Sequence, residues 1–479
     1  MLFSSNPFLF FFLPIVLLLY YGVFKPFFKG FTARNVFLLI ASLFFYGWGE
    51  EVFVFVLMGS ILANYVFGLL VDKYRENKPV AKFVIFLTCV VNLTVIFIGK
   101  YLMFTLNNVN ALFKTGFPVP EIALPIGISF FTFQALSYVI DVYRKDGKVQ
   151  KNPLNVGLYI VFFPQLIAGP IVRYETVAEQ INYREENLED FSKGVCRFIV
   201  GLAKKVIISN NMAIVADTVF GAESPAMATA WLGALAYMFQ IYFDFSGYSD
   251  MAMGLGPMFG FHFKENFDYP YISTSVTEFW RRWHISLGTW FRDYVYFPMG
   301  GSRVESKFRL IFNLFVVWFL TGVWHGANWT FIVWGIYYFV LLVIEKLFLL
   351  NYIKTISEKP IYMRALSHIV TLFAVIMGWV VFRAENLSAF GTYTVSMFAN
   401  PVLTDDMFWG YFTDKAVIFV FAILFSMPVA PMANRIFAKN LALKKIQGFV
   451  YPFVVFALFL VSAAYIVKGS YNPFIYFNF

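Results

Sequence analysis

LIFNLFVVWFLTGVWHGANWTFIVWGIYYFVLLVI, residues 310–344, runs from Arg309 to Glu345 without one Asp, Glu, Lys or Arg. Crossing the hydrocarbon core of a bilayer takes about 20 apolar residues. The run is too long for one crossing and reads as two, 310–324 and 328–350. Within it stands His325, the one residue there whose charge changes near neutral pH. Measured from Arg309 along a helix, His325 lies about 24 Å into the apolar zone at about 1.5 Å per residue. Desolvation at that depth favours a neutral imidazole, whose free nitrogen can accept a proton. Ionisable groups inside membrane segments are costly, so such a residue carries a functional hypothesis by default. The bland alternative is a histidine bonded across helices for packing. Gly322 and Gly326 on either side permit close approach of a substrate or a neighbouring helix.

Outward from this stretch, apolar runs recur at 7–24, 35–48, 52–71, 83–99, 122–140, 154–172, 226–248, 365–382, 415–431 and 448–467. Several are short or broken, so the expected number of crossings is about ten to twelve. Composition agrees. Of 479 residues, 60% are hydrophobic and 14% charged, and 63 phenylalanines stand against 37 basic and 28 acidic residues. That charge content cannot cover a soluble surface, and the apolar content excludes disorder. An all-α integral membrane protein is the class that remains.

The net charge of +9 would raise nucleic acid as a partner in a soluble protein. Here the basic residues fall between apolar runs, as in cytoplasmic loops, and no nucleic acid is expected. Lys25/Lys29/Arg34, Lys73/Arg75/Lys78/Lys82 and Arg144/Lys145/Lys148/Lys151 would face the cytoplasm, with Glu50-Glu51 and residues 100–118 outside. No basic segment precedes the first run and no small-residue cleavage pattern follows it, so it reads as a retained helix with its N-terminus outside. Cys89 and Cys196 form no CxxC and no cluster, so neither a disulfide framework nor a metal site is expected. Walker loops, GxSxG elbows, HExxH and dinucleotide fingerprints are absent.

Between 173 and 310 the alternation fails. Residues 188–209 interleave Phe191, Val195, Phe198, Leu202 and Val206 with Lys193, Arg197, Lys204 and Lys205. This is amphipathic spacing suited to a helix lying in the interface. Residues 257–309 are too polar to span yet rich in Trp and Tyr, as expected of interfacial and re-entrant segments surrounded by protein or water. With no repeat and no linker, the chain reads as a single membrane-embedded domain, 1–479.

Three constellations in and around this block hold chemistry. Thr277-Glu278-Phe279-Trp280-Arg281-Arg282-Trp283-His284 sets two guanidinium groups among aromatic rings. Arg281 and Arg282 suit phosphates, and the plain reading is an interfacial belt. Further on, Arg292 and Asp293 read as an ion pair that can be purely structural. Gln240 to Asp250 carries Asp244, Ser246, Ser249 and Asp250 near the end of an apolar run. They line a wet cavity, orient a histidine, or cap the helix end, and sequence leaves all three open. His262 and His368 read as interfacial or structural.

Three motifs carry a family resemblance: QIYFDFSGYSDMAMGLGPMFGF (240–261), ENFDYPYISTSVTEFWRRWHISLGTWFRDYVYFPMGGSR (265–303) and FLTGVWHGANWTFIVWG (319–335). FYGWGE (45–50), PIGISFFTFQALSYVIDVYR (125–144), FFPQLIAGPIVRY (162–174) and the terminal YNPFIYFNF (471–479) add to it. Together they resemble the membrane-bound O-acyltransferases (MBOAT), most closely the branch that O-acetylates alginate and other bacterial cell-surface polymers, with the family core at 125–335. That resemblance implies a multi-helix fold of about eleven crossings around a core reached from both faces. It places the family's catalytic histidine at His325 and its second histidine at His284.

The implied chemistry is acyl transfer from a cytosolic thioester, acetyl-CoA, to a hydroxyl outside the membrane, with no bound cofactor and no metal. On this reading His325 is the general base. Trp280, Arg281 and Arg282 bind the donor, and Asn328, Trp280 and nearby backbone N–H groups stabilise the oxyanion. Trp324, Asp244, Ser246 and Asp293 support the site. Membrane lipid, an extracytoplasmic acetyltransferase and a polysaccharide acceptor are the implied partners, at the bacterial inner membrane. Two rivals remain at this point. One is D-alanyl transfer to teichoic acid from a carrier-protein thioester. The other is a transporter or lipid flippase without acyl chemistry, for which broken helices speak and the lack of inverted halves does not.

Overall fold

A computed structural model describes residues 1–475, so the last four residues of the YNPFIYFNF run lie outside the described residues. Helix dominates, and no strand occurs among the described residues. Nine helices among them are long and apolar enough to cross a bilayer: Phe8–Phe27, Phe53–Lys73, Lys78–Phe113, Leu188–Phe220, Lys307–His325, Trp329–Lys354, Ile361–Arg383, Asp406–Phe425 and Leu441–Val467. A further apolar helix, Thr32–Gly47, is shorter. The protein is an all-helical, multi-pass membrane protein.

One expected span takes another form. The run at 154–172 gives only a short helix, Pro153–Val161, and then non-helical backbone to Val172 whose side chains are all buried. Pro164 and Pro170 each lack a backbone N–H, which ends the helix. Irregular backbone at membrane depth survives because protein surrounds it. Residues 188–209, read as a helix lying in the interface, are helical and continue to Phe220 through one wide turn at Lys204–Ser209. Its second half is largely buried in protein, Lys205 included, while Lys193 in the first half is exposed.

By contact the chain divides into two compact units, Met1–Phe198 with Tyr248–Lys264, and Ile199–Gly247 with Glu265–Phe479. In the first, polar side chains satisfy one another among apolar helices. Asn64 and Asn92 exchange amide bonds of 3.0 and 2.9 Å between helices Phe53–Lys73 and Lys78–Ile96. Arg184 is buried and donates to Asn35 Oδ1 (2.8 Å), the Tyr20 hydroxyl (2.9 Å) and the Phe259 carbonyl (2.8 Å). Glu186 takes Arg34 at 2.8 Å and Lys25 at 3.3 Å. Lipid would offer the Asn64–Asn92 pair no other partner, and burial makes Arg184 and Glu186 equally dependent on protein groups.

The second unit carries the candidate site on a helical hairpin, Lys307–His325 and Trp329–Ile344. Gly322 and Gly335 let its two backbones touch: a Cβ on Gly322 would lie 2.5 Å from the Phe331 carbonyl oxygen, and one on Gly335 2.5 Å from that of Trp318. In membranes, where water drives nothing together, small residues of this kind provide the close packing. Asn328 makes the turn by capping the second helix, accepting from Thr330 N at 3.1 Å, and its amide donates to the Glu385 carbonyl at 2.7 Å. Arg303, Lys307 and Arg309 stand at the open end of the hairpin in sequence, with Lys346 and Lys354 after the second helix. His325 and the turn occupy the other end. Helix Ile361–Arg383 packs beside the hairpin and brings Phe382 to His325.

A candidate acyl-transfer site on the hairpin

His325 ends its helix, 6% exposed, inside a box of aromatic rings. Trp334 lies 4.9 Å away, Phe382 5.0 Å and Trp324 5.0 Å between ring centroids, all edge to face. Such pairs contribute roughly 0.5–1.5 kcal/mol each beyond area burial, so the imidazole is held in one orientation. Trp324 also reaches the second histidine, its ring 5.9 Å from that of His284. The structure therefore brings His325 and His284 to one tryptophan.

His284 is 3% exposed and sits between helices Val276–Arg282 and Ile285–Phe291 with a φ of +46°. A non-glycine residue in the left-handed region stores strain that the surrounding packing must offset. Phe245 meets its ring edge-on at 4.5 Å. Nδ1 lies 3.2 Å from Asn266 Oδ1, while Nε2 is buried with no hydrogen-bond partner among the described residues. Burial pushes the imidazole down to about 3, so it is neutral at physiological pH.

Helix Val276–Arg282 carries Trp280, Arg281 and Arg282. Two devices fix it. Ser275 caps it by accepting from Glu278 N at 3.1 Å, and Glu278 reaches back to Thr274 N at 2.9 Å, a capping-box arrangement. Glu345, buried at the end of the long hairpin helix, accepts from the backbone N–H groups of Val276 and Thr277, both at 2.7 Å, and from the Thr277 hydroxyl at 2.6 Å. Trp280 is thereby set among Trp318 (4.9 Å), Trp334 (5.5 Å) and Tyr338 (4.8 Å). Trp334 thus touches both Trp280 and His325, and the Nε1 groups of Trp280 and Trp334 have no hydrogen-bond partner among the described residues.

Beside Arg281 opens a cavity of about 990 Å³. Arg281, Lys346, Lys354 and Arg364 line it, and none of these four pairs with a carboxylate among the described residues. Arg282 differs, bonding Asp268 at 2.9 Å and Glu278 at 3.0 Å. The cavity lining thus holds these four cations beside Asp268, Glu278 and Glu345, and the packed rings of Trp280 and Trp334 connect the Arg281 helix to the imidazole. From Trp334 to Lys346 is about 18 Å along the helix, at about 1.5 Å per residue.

The other sequence candidates lie as follows. Asp244 is in the middle of helix Met227–Met258, which removes the helix-capping alternative for it and for Asp250. It forms a buried ion pair with Lys205 at 2.7 Å and accepts from Ile475 N at 2.9 Å. The Ser246 hydroxyl is buried with no hydrogen-bond partner among the described residues. Asp293 pairs with its neighbour Arg292 at 2.8 Å. His262 reaches Asp190 at 3.3 Å, and His368 Nδ1 lies 3.0 Å from the Ser273 carbonyl. Among the described residues no group of His, Cys, Asp and Glu is arranged to hold a metal ion. Sequence reasoning passed over Glu345, Lys205, Asn266, Lys354 and Arg364. Glu345 had a signal, since it is the first charge after the apolar run that contains His325.

Comparison with known proteins now bears on this geometry. Residues 144–388 match the profile of the membrane-bound O-acyltransferase family. Over 403 residues the chain is 45% identical to a probable alginate O-acetylase of Pseudomonas syringae pv. tomato, covering 83% of this chain and 75% of that one. Similarity to a peptidoglycan O-acetyltransferase of Helicobacter pylori is 35% over 417 residues, 81% and 78% of the two chains. A teichoic acid D-alanyltransferase of Bacillus subtilis is 34% identical over 239 residues, 47% and 59% of the two. A transporter without acyl chemistry thereby gives way to an O-acyltransferase, and the chain belongs to the membrane-bound O-acyltransferase family.

Proposed function

We propose that this enzyme takes the acetyl group of cytosolic acetyl-CoA through the membrane for O-acetylation of an extracytoplasmic polysaccharide, alginate or a related polymer, at the bacterial inner membrane. The observation that carries the reading is the line from cavity cations without a carboxylate partner among the described residues, through Trp280 and Trp334, to the buried His325. Arg281, Lys346, Lys354 and Arg364 suit the phosphates of the donor. Their sequence neighbourhood is the basic end of the hairpin, which the positive-inside rule assigns to the cytoplasm. The acyl-bearing arm would extend from the cavity past Trp280 and Trp334, with its thioester at His325.

In the reaction the accepting hydroxyl oxygen bonds to the acetyl carbon while the carbon–sulfur bond breaks. His325 takes the hydroxyl proton and returns it to the departing thiolate, a role worth about 10²–10⁴-fold. The Nε1 groups of Trp280 and Trp334, unused by protein acceptors, are the donors offered to the oxyanion. One amide hydrogen of Asn328 already serves the Glu385 carbonyl. The immediate acceptor is a hydroxyl of an extracytoplasmic acetyltransferase partner, which passes the group to the polymer.

Membranes of a producing strain supplied with radiolabelled acetyl-CoA should label polymer, and His325→Ala should lower labelling by about 10²-fold or more with the folded protein still in the membrane. Retained labelling in His325→Ala would overturn the base assignment. D-alanyl carrier thioester tested in parallel decides the donor, and labelling from it alone would replace acetyl with D-alanyl. Labelling without co-purification of a partner, by the isolated chain on polymer, would remove the relay.

A further inference from the structure

The surroundings of Asn266 settle which nitrogen of His284 bears its proton. The Asn266 side chain is buried, and its Oδ1 lies 3.1 Å from Ser286 N, 2.8 Å from Ser286 Oγ and 3.2 Å from His284 Nδ1. A backbone N–H can only donate, so the Asn266 atom that faces Ser286 N is the oxygen and not the amide nitrogen. An amide oxygen has no hydrogen to give, so His284 Nδ1 donates to it. A neutral imidazole has one N–H. Nε2 therefore presents a lone pair, buried and without a hydrogen-bond partner among the described residues.

A buried acceptor of this kind is rarely left unmet in a folded protein. The groups that face the ring from the elements packed on it are Phe245, Asn266, Ser286 and Trp324, none of them titratable in the range of histidine. We infer that His284 accepts a hydrogen bond at Nε2 from an O–H on the acceptor side of the acyl transfer, and that Asn266 is the positioning residue that holds this tautomer. The inference rests on the reading under Proposed function. It divides the work of the two histidines. A lone pair cannot stabilise a thioester oxyanion, so His284 does not polarise the donor. One hydroxyl hydrogen cannot serve two bases, so His284 holds a second O–H, a neighbouring hydroxyl or water, beside the one that His325 deprotonates.

The test compares wild type, Asn266→Ala and Asn266→Asp in the same membranes, with radiolabelled acetyl-CoA and polymer labelling followed from pH 5 to pH 8. Asn266→Ala should lower kcat roughly 10- to 100-fold, as loss of partners that orient histidines does elsewhere, with KM for acetyl-CoA unchanged. Asn266→Asp keeps the accepting oxygen and should retain activity at pH 8. Its carboxylate favours imidazolium and should add an acid limb to a profile that His284 leaves flat in wild type. Asn266 also holds Ser286 and Ile285, so Asn266→Ala is read only where size-exclusion shows folded protein, and Asn266→Asp decides otherwise. Full activity in Asn266→Ala, or superimposable profiles for Asn266→Asp and wild type, would overturn the inference. Unlabelled polymer in wild type would instead overturn acetyl transfer itself.

Discussion

Arg282 bonds Asp268 and Glu278, whereas Arg281 beside it faces the cavity with no carboxylate partner among the described residues. Nothing in Trp280-Arg281-Arg282-Trp283 separates the two by residue type, because partner choice depends on which carboxylates the fold brings within 4 Å. His325 was different: its lone position in a charge-free run marks it at once. We expect Arg281→Glu to raise KM for acetyl-CoA about 10- to 100-fold, matching loss of a charge-assisted hydrogen bond worth about 1.5–3 kcal/mol, at unchanged expression. Arg282→Ala should leave that KM near wild type and cost about 1 kcal/mol or less, as partly exposed pairs do. Steady-state kinetics on both variants checks this, and an unaltered KM in Arg281→Glu removes Arg281 from the donor site.

At the scale of elements, one buried carboxylate docks helix Val276–Arg282 against the hairpin. Glu345 takes two backbone N–H groups and one hydroxyl there, so helix Val276–Arg282 is fixed to the helix that bears Trp334. Removing it leaves buried donors unmet, and Glu345→Ala should lower stability by about 3 kcal/mol and raise KM for acetyl-CoA as Arg281 and Trp280 shift. Glu345→Gln, which keeps one acceptor oxygen, should fall between. Melting followed by tryptophan fluorescence in detergent measures this, and a Glu345→Ala protein that melts with wild type contradicts the docking role. The hairpin itself was legible as two apolar runs around Gly326-Ala327-Asn328. The amphipathic spacing at 188–209 belongs to a helix whose first half stays largely exposed or half-buried and whose second half is buried in protein, a division that spacing alone does not locate.

Across the whole molecule, polar pairs placed far apart in sequence hold apolar helices together. In the second unit Lys205 and Asp244, each 1% exposed, pair at 2.7 Å. Lys205 also bonds Asn210 and the Pro473 carbonyl, and Asp244 receives Ile475 N, so the terminal segment is tied to the core. Breaking a buried pair from one side leaves an uncompensated charge. Lys205→Met should therefore cost about 3–5 kcal/mol, and adding Asp244→Leu should restore much of it. Membrane yield and melting temperature report the difference, and a double variant weaker than the single would refute this account. The interleaved Lys193, Arg197, Lys204 and Lys205 look alike in sequence, yet only the fold separates exposed Lys193 from buried Lys205.

The membrane class, the apolar runs, the isolation of His325 and, through the motifs, the acyltransferase family are legible in the chain without coordinates. Charge depletion and motif spacing are local properties, and the preference of each segment for lipid follows from its own residues. Only packing in three dimensions pairs Arg282 while leaving Arg281 without a carboxylate partner among the described residues, docks helix Val276–Arg282 on Glu345, and brings Asn266 to His284. Those outcomes depend on donors and acceptors that meet within about 3 Å after packing. Such distances are set by all neighbouring helices together and are written in no single stretch of the chain.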